Sequence, residues 1–284
     1  MDLRAKAEEL YANDAKTPPA KLHEEARQLF LKVVRVGGSS LTSLIVDVAC
    51  LAALTGYTAG QRNAGFTFAS IAESRAENSG QPELIARAAG MKRLHYSAEV
   101  GIGSPHESVA WGRRAADTAE PGVMRAWALA NLAPELAVLK ERKECFHVLN
   151  AADRQWGQGW GYGLFSVDGY LKTYRSPGPI IGLTGRCLAL LGDGNAAITE
   201  LTSAMRLPSS RNLTTVWYVD SVLAYLAIGD CAQTCGAAMT ALEACEEIGY
   251  GLGIQRVKNI RARFPSSWEG TAYVRALDDY LALR

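Results

Sequence analysis

LLGDGNAAITELTSAM (residues 190–205) and AIGDCAQTCGAAMTAL (residues 227–242) are two copies of one short pattern, and that pattern decides the fold. In each copy an apolar helix end is followed by Gly-Asp, and a second helical pattern begins at once. The glycine, Gly192 or Gly229, suits the left-handed backbone conformation that ends a helix. The aspartate after it can accept hydrogen bonds from the free N–H groups of the next helix. Each copy therefore predicts a helix–turn–helix unit.

The same spacing identifies three more units upstream. In every copy one small residue follows the turn position by five residues and another by twelve, on the same face of the second helix. Small side chains at these positions let one helix lie close against another. The five sets of turn and packing positions are Gly60, Gly65 and Ala72; Gly103, Ser108 and Ala115; Lys140, Cys145 and Ala152; Gly192, Ala197 and Ala204; and Gly229, Thr234 and Ala241.

The turn positions lie 43, 37, 52 and 37 residues apart, slightly more than the length of about 34 residues that is typical of tetratricopeptide units. The longest interval indicates an insertion between Ala152 and Gly192. We predict an all-α fold: a tetratricopeptide-like, right-handed α-solenoid of about twelve helices, with five helix pairs and capping helices at both ends. Residues 1–16 are expected to form an N-terminal helix or extension. Residues 17–284 are expected to form a single repeat domain with an aromatic and glycine-rich insertion at about 155–179.

Composition excludes several classes of protein. The chain has 284 residues, a net charge of +1 and a hydrophobic fraction of 48%, so there is no overall basic bias towards nucleic acid. The charged N-terminus lacks an apolar signal region. The most apolar run, residues 41–56, contains Asp47 and is too short to cross a bilayer. We expect a cytoplasmic protein that does not enter the membrane and does not bind nucleic acid directly.

The six cysteines lie in alanine- and leucine-rich helical patterns, and we interpret them as small buried residues of a protein from a reducing compartment. Cys231 and Cys235 are one helical turn apart, but no histidine is near enough to complete a metal site. No metal and no cofactor is expected. The six positions are Cys50, Cys145, Cys187, Cys231, Cys235 and Cys245.

The periodicity of apolar residues, together with the positions of proline, glycine and capping residues, sets the expected helices. We find no convincing strand pattern. Pro134 falls inside one of these helices, where it removes a backbone hydrogen bond and should produce a kink. The expected helices are residues 1–15, 20–36, 41–54, 63–78, 82–96, 106–119, 123–139, 142–155, 180–191, 211–228, 232–248, 252–264 and 270–283, with the second half of the 190–205 pattern between them.

With these features in view, the chain resembles the tetratricopeptide-like C-terminal region of actinobacterial Xre/Cro-type helix-turn-helix regulators. The resemblance covers almost everything from Thr17 to Arg284. It rests on Thr17-Pro18-Pro19 before a helix, the Leu54-Thr55-Gly56 turn, Trp156 followed by a Phe/Asp segment, the Gly-Asp turns at Gly192 and Gly229, the segment IQRVKNIRARFP at 254–265, and a last helix with Val274, Leu277 and Leu281.

This resemblance implies binding of a small molecule or peptide, or dimerisation, and it implies no shared catalytic residue. It also leaves room for scaffolds that were recruited into biosynthetic clusters. The DNA-binding bundle of those regulators has no counterpart here, because residues 1–16 are too few to form it. We therefore expect either a stand-alone relative or a chain without its DNA-binding domain.

The aromatic insertion is the first candidate for a ligand site. Glycines between its rings let the backbone turn tightly, so that the rings can cover the inner face of a solenoid and hold an apolar or aromatic ligand. The alternative is that these rings only fill the gap between neighbouring units. The residues singled out here are Trp156, Trp160, Tyr162, Phe165, Asp168 and Tyr170.

First helices of the units carry the second set of candidates. Trp217 and Asp220 are three residues apart and so lie on one helix face. Arg125 and Trp127 occupy similar places in the third unit. We predict that these four residues line a concave groove and that Trp160 and Tyr162 form its roof.

Catalytic patterns are weak. No Ser/His/Asp order, phosphate-binding loop or metalloprotease helix occurs, and the Gly-x-Gly steps at 157–163 follow no strand, which excludes a dinucleotide site. Cys145 and His147 are two residues apart and do not face each other on a helix. His23 is expected to be solvated. The basic run Gln255, Arg256, Lys258, Arg261 and Arg263 is interpreted as a solvated capping face.

The sequence thus favours a non-catalytic module that binds a small molecule or peptide in its groove and is linked to regulation, with a protein partner or homodimer as a further possibility. One alternative is an enzyme or accessory protein of a secondary-metabolite pathway, in which Asp168, Asp220, Tyr162 or a histidine transfers a proton. A pure protein scaffold is the other. Enzymatic activity is left undecided, with a preference against it.

Overall fold

The computed structural model describes residues 2–13, 16–97, 103–158, 178–207 and 209–283. Across these residues it contains fourteen α-helices, two short 3-10 helices and no strand. The predicted all-α class is therefore confirmed. No described helix has both the length and the apolar character needed to cross a bilayer. The chain divides into two compact units, Met1–Arg175 and Ser176–Arg284.

The first unit contains eight described helices, and consecutive helices pack against each other. They follow one another along the chain as first and second helices of successive pairs, and the helix ends fall within a few residues of the expected positions. The helices are α1 (Leu3–Ala12), α2 (Pro19–Val36), α3 (Thr42–Thr58), α4 (Arg62–Ser79), α5 (Pro82–Tyr96), α6 (Pro105–Thr118), α7 (Val123–Val138) and α8 (Arg142–Gln158).

The second unit contains six described helices; the first five contact each other consecutively, and the sixth packs against the fourth. It includes both copies of the pattern that decided the fold. The helices are α9 (Gly178–Leu191), α10 (Gly194–Met205), α11 (Arg211–Ile228), α12 (Cys231–Ile248), α13 (Gly251–Arg261) and α14 (Ala272–Ala282).

Four of the five turns that join the two helices of a pair share one hydrogen-bond pattern; the fifth, between α5 and α6, lies partly outside the described residues. After α9, the Asp193 amide donates to the Leu188 carbonyl at 2.9 Å and the Gly192 amide donates to the Ala189 carbonyl at 3.1 Å. This pair of bonds is the Schellman closure, which satisfies carbonyls that the helix end leaves free. The same closure follows α3, α7 and α11.

The turn residue has a positive φ in all four closures, as the sequence predicted for glycine. The values are 80° at Gly60, 95° at Gly192 and 85° at Gly229, and Lys140 adopts 63° where the pattern has lost its glycine. Asp230 caps α12 through a bond from the Gln233 amide at 2.9 Å. Asp193 forms no such side-chain bond to α10, so the capping prediction is correct for one copy and wrong for the other.

The packing positions of the repeat are buried in all five units, because each lies where the second helix of a pair meets its neighbours. Small residues at these positions allow that close approach, as the sequence predicted. Gly65 shows the limit: a Cβ there would lie 2.9 Å from the Ala53 carbonyl oxygen and 3.0 Å from the Tyr57 amide nitrogen of α3. The positions are Gly65, Ala72, Ser108, Ala115, Cys145, Ala152, Ala197, Ala204, Thr234 and Ala241.

Odd-numbered helices also contact the odd-numbered helix that follows. In the first unit α3 packs against α5 and α5 packs against α7; in the second, α9 packs against α11 and α11 against α13. No pair of even-numbered helices in the described part of the first unit is packed to that extent. We call the odd-numbered helices of each unit its close layer. The two layers of the first unit are thus unequal, and the even-numbered helices are spread further apart.

The predicted insertion at about 155–179 is described only at its edges. α8 continues to Gln158 and α9 begins at Gly178, so Trp156 lies in a helix. Trp160, Tyr162, Phe165, Asp168 and Tyr170 lie outside the described residues.

Candidate functional site

Two of the predicted ligand-binding tryptophans lie inside the close layers. Trp127 of α7 is 1% exposed and its ring covers Gly90 of α5, where a Cβ would overlap the ring. Trp217 of α11 is 2% exposed and covers Gly182 of α9 in the same way. In both units, a glycine on one odd-numbered helix therefore makes room for a tryptophan on the next.

Buried ion pairs join the same helices. Arg93 of α5 donates to Glu135 of α7 at 3.1 Å. Arg87 of α5 pairs with Asp47 of α3. In the second unit Arg256 of α13 lies 2.5 Å from Asp220 of α11.

The partners in these pairs are separated by about one repeat length, because each pair links equivalent helices of adjacent units. Asp220 is 1% exposed and Arg256 is buried against it. The run at 255–263 is therefore not wholly the solvated capping face that the sequence predicted. Arg261 in the same run is held by Glu269 and Asp278, each at 2.8 Å.

Two histidines are buried beside α3. His23, which the sequence analysis expected in solvent, is 4% exposed, and its Nδ1 lies 2.8 Å from the Ala52 carbonyl oxygen. That expectation is wrong because His23 shares one face of α2 with buried Leu22 and Ala26. His95 of α5 packs edge-on against Tyr57 and is bonded to the Ala53 carbonyl. Burial lowers the pKa of His95 to about 4, with a smaller contribution from Lys92.

An open cleft of about 450 Å³ lies in the first unit between α6 and α8, with α7 beneath it. Its position follows from the unequal layers, because spread even-numbered helices leave space above the odd-numbered helix that they cover. The volume is within the range of small-molecule sites. Of the candidates predicted from sequence, Arg125 lines this cleft.

Each helix presents one face to the cleft, as the spacing of its lining residues shows. Arg125, Leu129 and Leu132 of α7 are four and three residues apart and form its floor. The walls come from α6 and α8 in the same periodic manner. The wall residues are Arg113, Ala116 and Asp117 of α6, and Glu144, His147, Val148, Ala151, Arg154 and Gln155 of α8.

Charges in the cleft are only partly balanced. Arg113 and Glu144 form an ion pair at 2.8 Å across the mouth, and the hydrogen bond from Arg113 lowers the pKa of Glu144. Arg125 is half-buried and Arg154 is exposed. Neither forms an ion pair or hydrogen bond with another described residue. Asp117 is the only other carboxylate among the described lining residues, so positive charge is in excess.

One bond joins the start of α7 to the last turn of α8 beside the cleft. The amide of Gly122, just before α7, donates to Oε1 of Gln155 in the last turns of α8 at 3.0 Å. Arg125 follows in the first turn of α7, where free N–H groups add partial positive charge. The backbone therefore adds to the positive potential of the arginines.

The sequence-predicted site residues thus separate into four groups. Arg125 lines the cleft, whereas Trp127, Trp217 and Asp220 lie within the close layers of their own units. Trp156 is half-buried and packs against the apolar core. The other five candidates lie outside the described residues. A ligand role for any of them stays a prediction.

Arg113, His147 and Arg154 line the cleft but were not singled out from the sequence as binding residues. A signal for them exists on α8, where Glu144, His147, Ala151 and Arg154 recur at steps of three or four residues. That pattern is equally typical of a solvated helix face. Only the gap between α6 and α8 distinguishes the two cases.

Nucleophilic and metal chemistry receive no support from the described residues. Five of the six cysteines are buried and Cys231 is half-buried, close to the sequence expectation. Burial raises the pKa of the Cys50 and Cys245 thiols to about 12. In the described ranges no three His, Cys, Asp or Glu side chains are grouped as a metal site would require. The cleft offers charge and apolar surface, which suit binding.

No protein-family model matches the sequence, and comparison with curated proteins gives no match either.

Proposed function

We propose that this protein is a non-catalytic binding module, built as a tetratricopeptide-like, right-handed solenoid and related to the sensory regions of the regulators that it resembles. The five Schellman-closed or glycine-marked helix pairs and the contacts between successive odd-numbered helices support a solenoid. Six free cysteines suit the cytoplasm, where thiols stay reduced.

The ligand in this proposal is a small molecule or peptide, and the cleft between α6 and α8 is its site in the first unit. The observation that carries the proposal is Arg125, a half-buried arginine without a described partner, beside the apolar side chains Leu129 and Leu132. A folded protein seldom leaves a partly desolvated charge unpaired unless another group meets it.

The test is to saturate the purified chain with the low-mass filtrate of an actinobacterial cell extract and to analyse it by native mass spectrometry. We expect an added mass that is released on denaturation. Ala151→Trp should abolish the added mass, because Ala151 is half-buried in the cleft wall and indole would fill the space. Ala196→Trp is the matched control on an exposed face of α10 and should retain it. Absence of any added mass from the unmodified chain would refute the proposal.

A further inference from the structure

The unpaired charge of the cleft specifies the chemistry of its ligand. Three arginines and two carboxylates line it, and the Arg113–Glu144 pair neutralises one of each. Arg125 and Arg154 then stand against Asp117 alone. A cationic ligand would meet net repulsion here, and a neutral ligand would leave the charge of the half-buried Arg125 unmatched.

The geometry of the guanidinium group restricts the type of anion that the cleft can bind. Its planar set of N–H donors matches the two oxygens of a carboxylate or phosphate, and such charge-assisted bonds are strongest where water is partly excluded. Arg125 is in such a place, since it is half-buried and follows the start of α7. The exposed Arg154 can approach the same anion from the α8 wall.

Apolar groups complete the lining. Leu132 and Val148 are buried, and Leu129, one helical turn from Arg125, is half-buried. A short hydrocarbon or ring beside the anionic group would pack against these side chains, and it would gain from its own removal from water and from that of the half-buried Leu129.

We infer that the cleft binds an amphipathic anion: a small molecule with a carboxylate or phosphate group held by Arg125 and Arg154, and a short apolar part against Leu129, Leu132 and Val148. This inference rests on the proposed binding function and specifies its ligand class. Either anionic group satisfies the guanidinium geometry, and the experiment separates the two.

The experiment uses the full chain and four probes with the same eight-carbon tail: octanoate, octyl phosphate, octylammonium and 1-octanol. Methyl NMR signals of Leu129, Leu132 and Val148 report binding in the cleft, and calorimetry gives the affinities. We expect octanoate or octyl phosphate to bind at least tenfold more tightly than 1-octanol, and octylammonium to bind most weakly. Whichever anion binds more tightly identifies the preferred group.

Arg125→Gln should reduce the advantage of the anions over 1-octanol about tenfold, while Arg263→Gln, on an exposed arginine of the second unit, should leave it unchanged. If Arg125→Gln fails to fold by circular dichroism, Arg154→Gln serves instead, because Arg154 is exposed and forms no ion pair or hydrogen bond with a described residue. The advantage should then decrease about threefold.

Equal affinity for all four probes, with shifts at the three methyl groups, would overturn the inference and leave the binding function standing. Methyl shifts and affinities that are unchanged by Arg125→Gln and by Arg154→Gln would overturn the inference in the same way. Lack of any shift at the three methyl groups would overturn the inference and would also remove the cleft as the site of the proposed function.

Discussion

Two regions of the first unit use arginine in opposite ways. Between α3, α5 and α7, Arg87 and Arg93 are buried and each holds a carboxylate of the neighbouring helix. Between α6 and α8, Arg125 and Arg154 line an open cleft and hold no described residue. The same side chain therefore contributes to helix packing in one region and remains available in the other.

The difference arises from helix spacing. Where odd-numbered helices touch, a charge loses its water and must be paired inside the protein. Where even-numbered helices are spread apart, a charged side chain keeps part of its hydration and remains available to bind a ligand. Mutations in the close layer should therefore change stability, and mutations in the cleft should change binding.

The largest effect is expected from Glu135→Ala, which leaves Arg93 buried without its carboxylate. Removal of one partner of a buried ion pair typically costs about 3–5 kcal/mol. Urea unfolding followed by circular dichroism measures the loss. The double substitution Arg93→Met with Glu135→Leu should recover much of it, because no buried charge then remains.

Glu24→Gln provides the matched control for an exposed pair. Glu24 accepts bonds from Arg27 on the surface of α2 at 2.7 Å, where water can replace the partner, so unfolding should hardly change. A loss from Glu135→Ala no greater than that from Glu24→Gln would contradict a structural role for the close layer's charges.

The second largest effect is expected from acid, which should lower the free energy of unfolding by protonating His95. The pKa of His95 is about 4 in the folded chain, against an ordinary value of 6.5 for the unfolded chain. Between pH 6.5 and pH 4, therefore, the imidazole is protonated in the unfolded chain but not in the folded one. Stability is therefore complete above about pH 6.5 and declines as the pH falls towards 4. The full difference corresponds to about 3 kcal/mol. Urea midpoints measured from pH 7 to pH 4 test it.

His95→Gln removes the titrating group and should flatten this part of the pH profile, whatever its effect on stability at pH 7. Asn150→Gln, at an exposed position of α8 without a titratable group, should leave the profile unchanged. If the His95→Gln chain kept the full slope between pH 6.5 and 4, other groups would be responsible.

Gly90→Ala probes the contact between α5 and α7 without changing charge. The new methyl group would overlap the Trp127 ring, and overpacking of a buried site costs about 1–3 kcal/mol. Gly236→Ala is the control, since Gly236 lies exposed in α12 with open space around its Cβ position. It should stabilise the chain by about 0.5–1 kcal/mol. Thermal unfolding that gave both substitutions the same sign would argue against close contact at Gly90.

Much of the architecture of the helix pairs could be predicted from the sequence. Gly192 and Gly229 predict their turns because few other residues adopt a positive φ. Small residues at a fixed sequence spacing after each turn predict the contacts between helices. Lys140 shows where residue type fails: its left-handed conformation follows from its place in the repeat and not from its side chain. His23 was misjudged because a single histidine does not reveal which face of α2 it occupies.

The cleft was harder to predict. Arg125 was selected for its place on a first helix, but its expected neighbours Trp127, Trp217 and Asp220 are buried within their own layers. Periodicity tells which residues share a helix face, and it does not tell how far apart two helices lie. The distance between α6 and α8 depends on contacts made elsewhere, such as Trp127 over Gly90, and so requires the folded chain.

The smallest predicted effect tests the cleft side of the comparison through Asp117, a carboxylate without a described partner on the α6 wall. If Arg125 and Arg154 attract an anion, Asp117 opposes it, and Asp117→Asn should tighten octanoate binding about twofold to fivefold, as expected for one exposed charge. The free energy of unfolding should stay unchanged, because Asp117 is exposed. Asp153→Asn, exposed on α8 outside the cleft lining, should leave the affinity as it was. Calorimetry at low and high salt shows whether charge causes the tighter binding, since salt screens an electrostatic effect and should reduce it. An increase in affinity that persists at high salt would instead come from shape and would contradict an electrostatic role for Asp117.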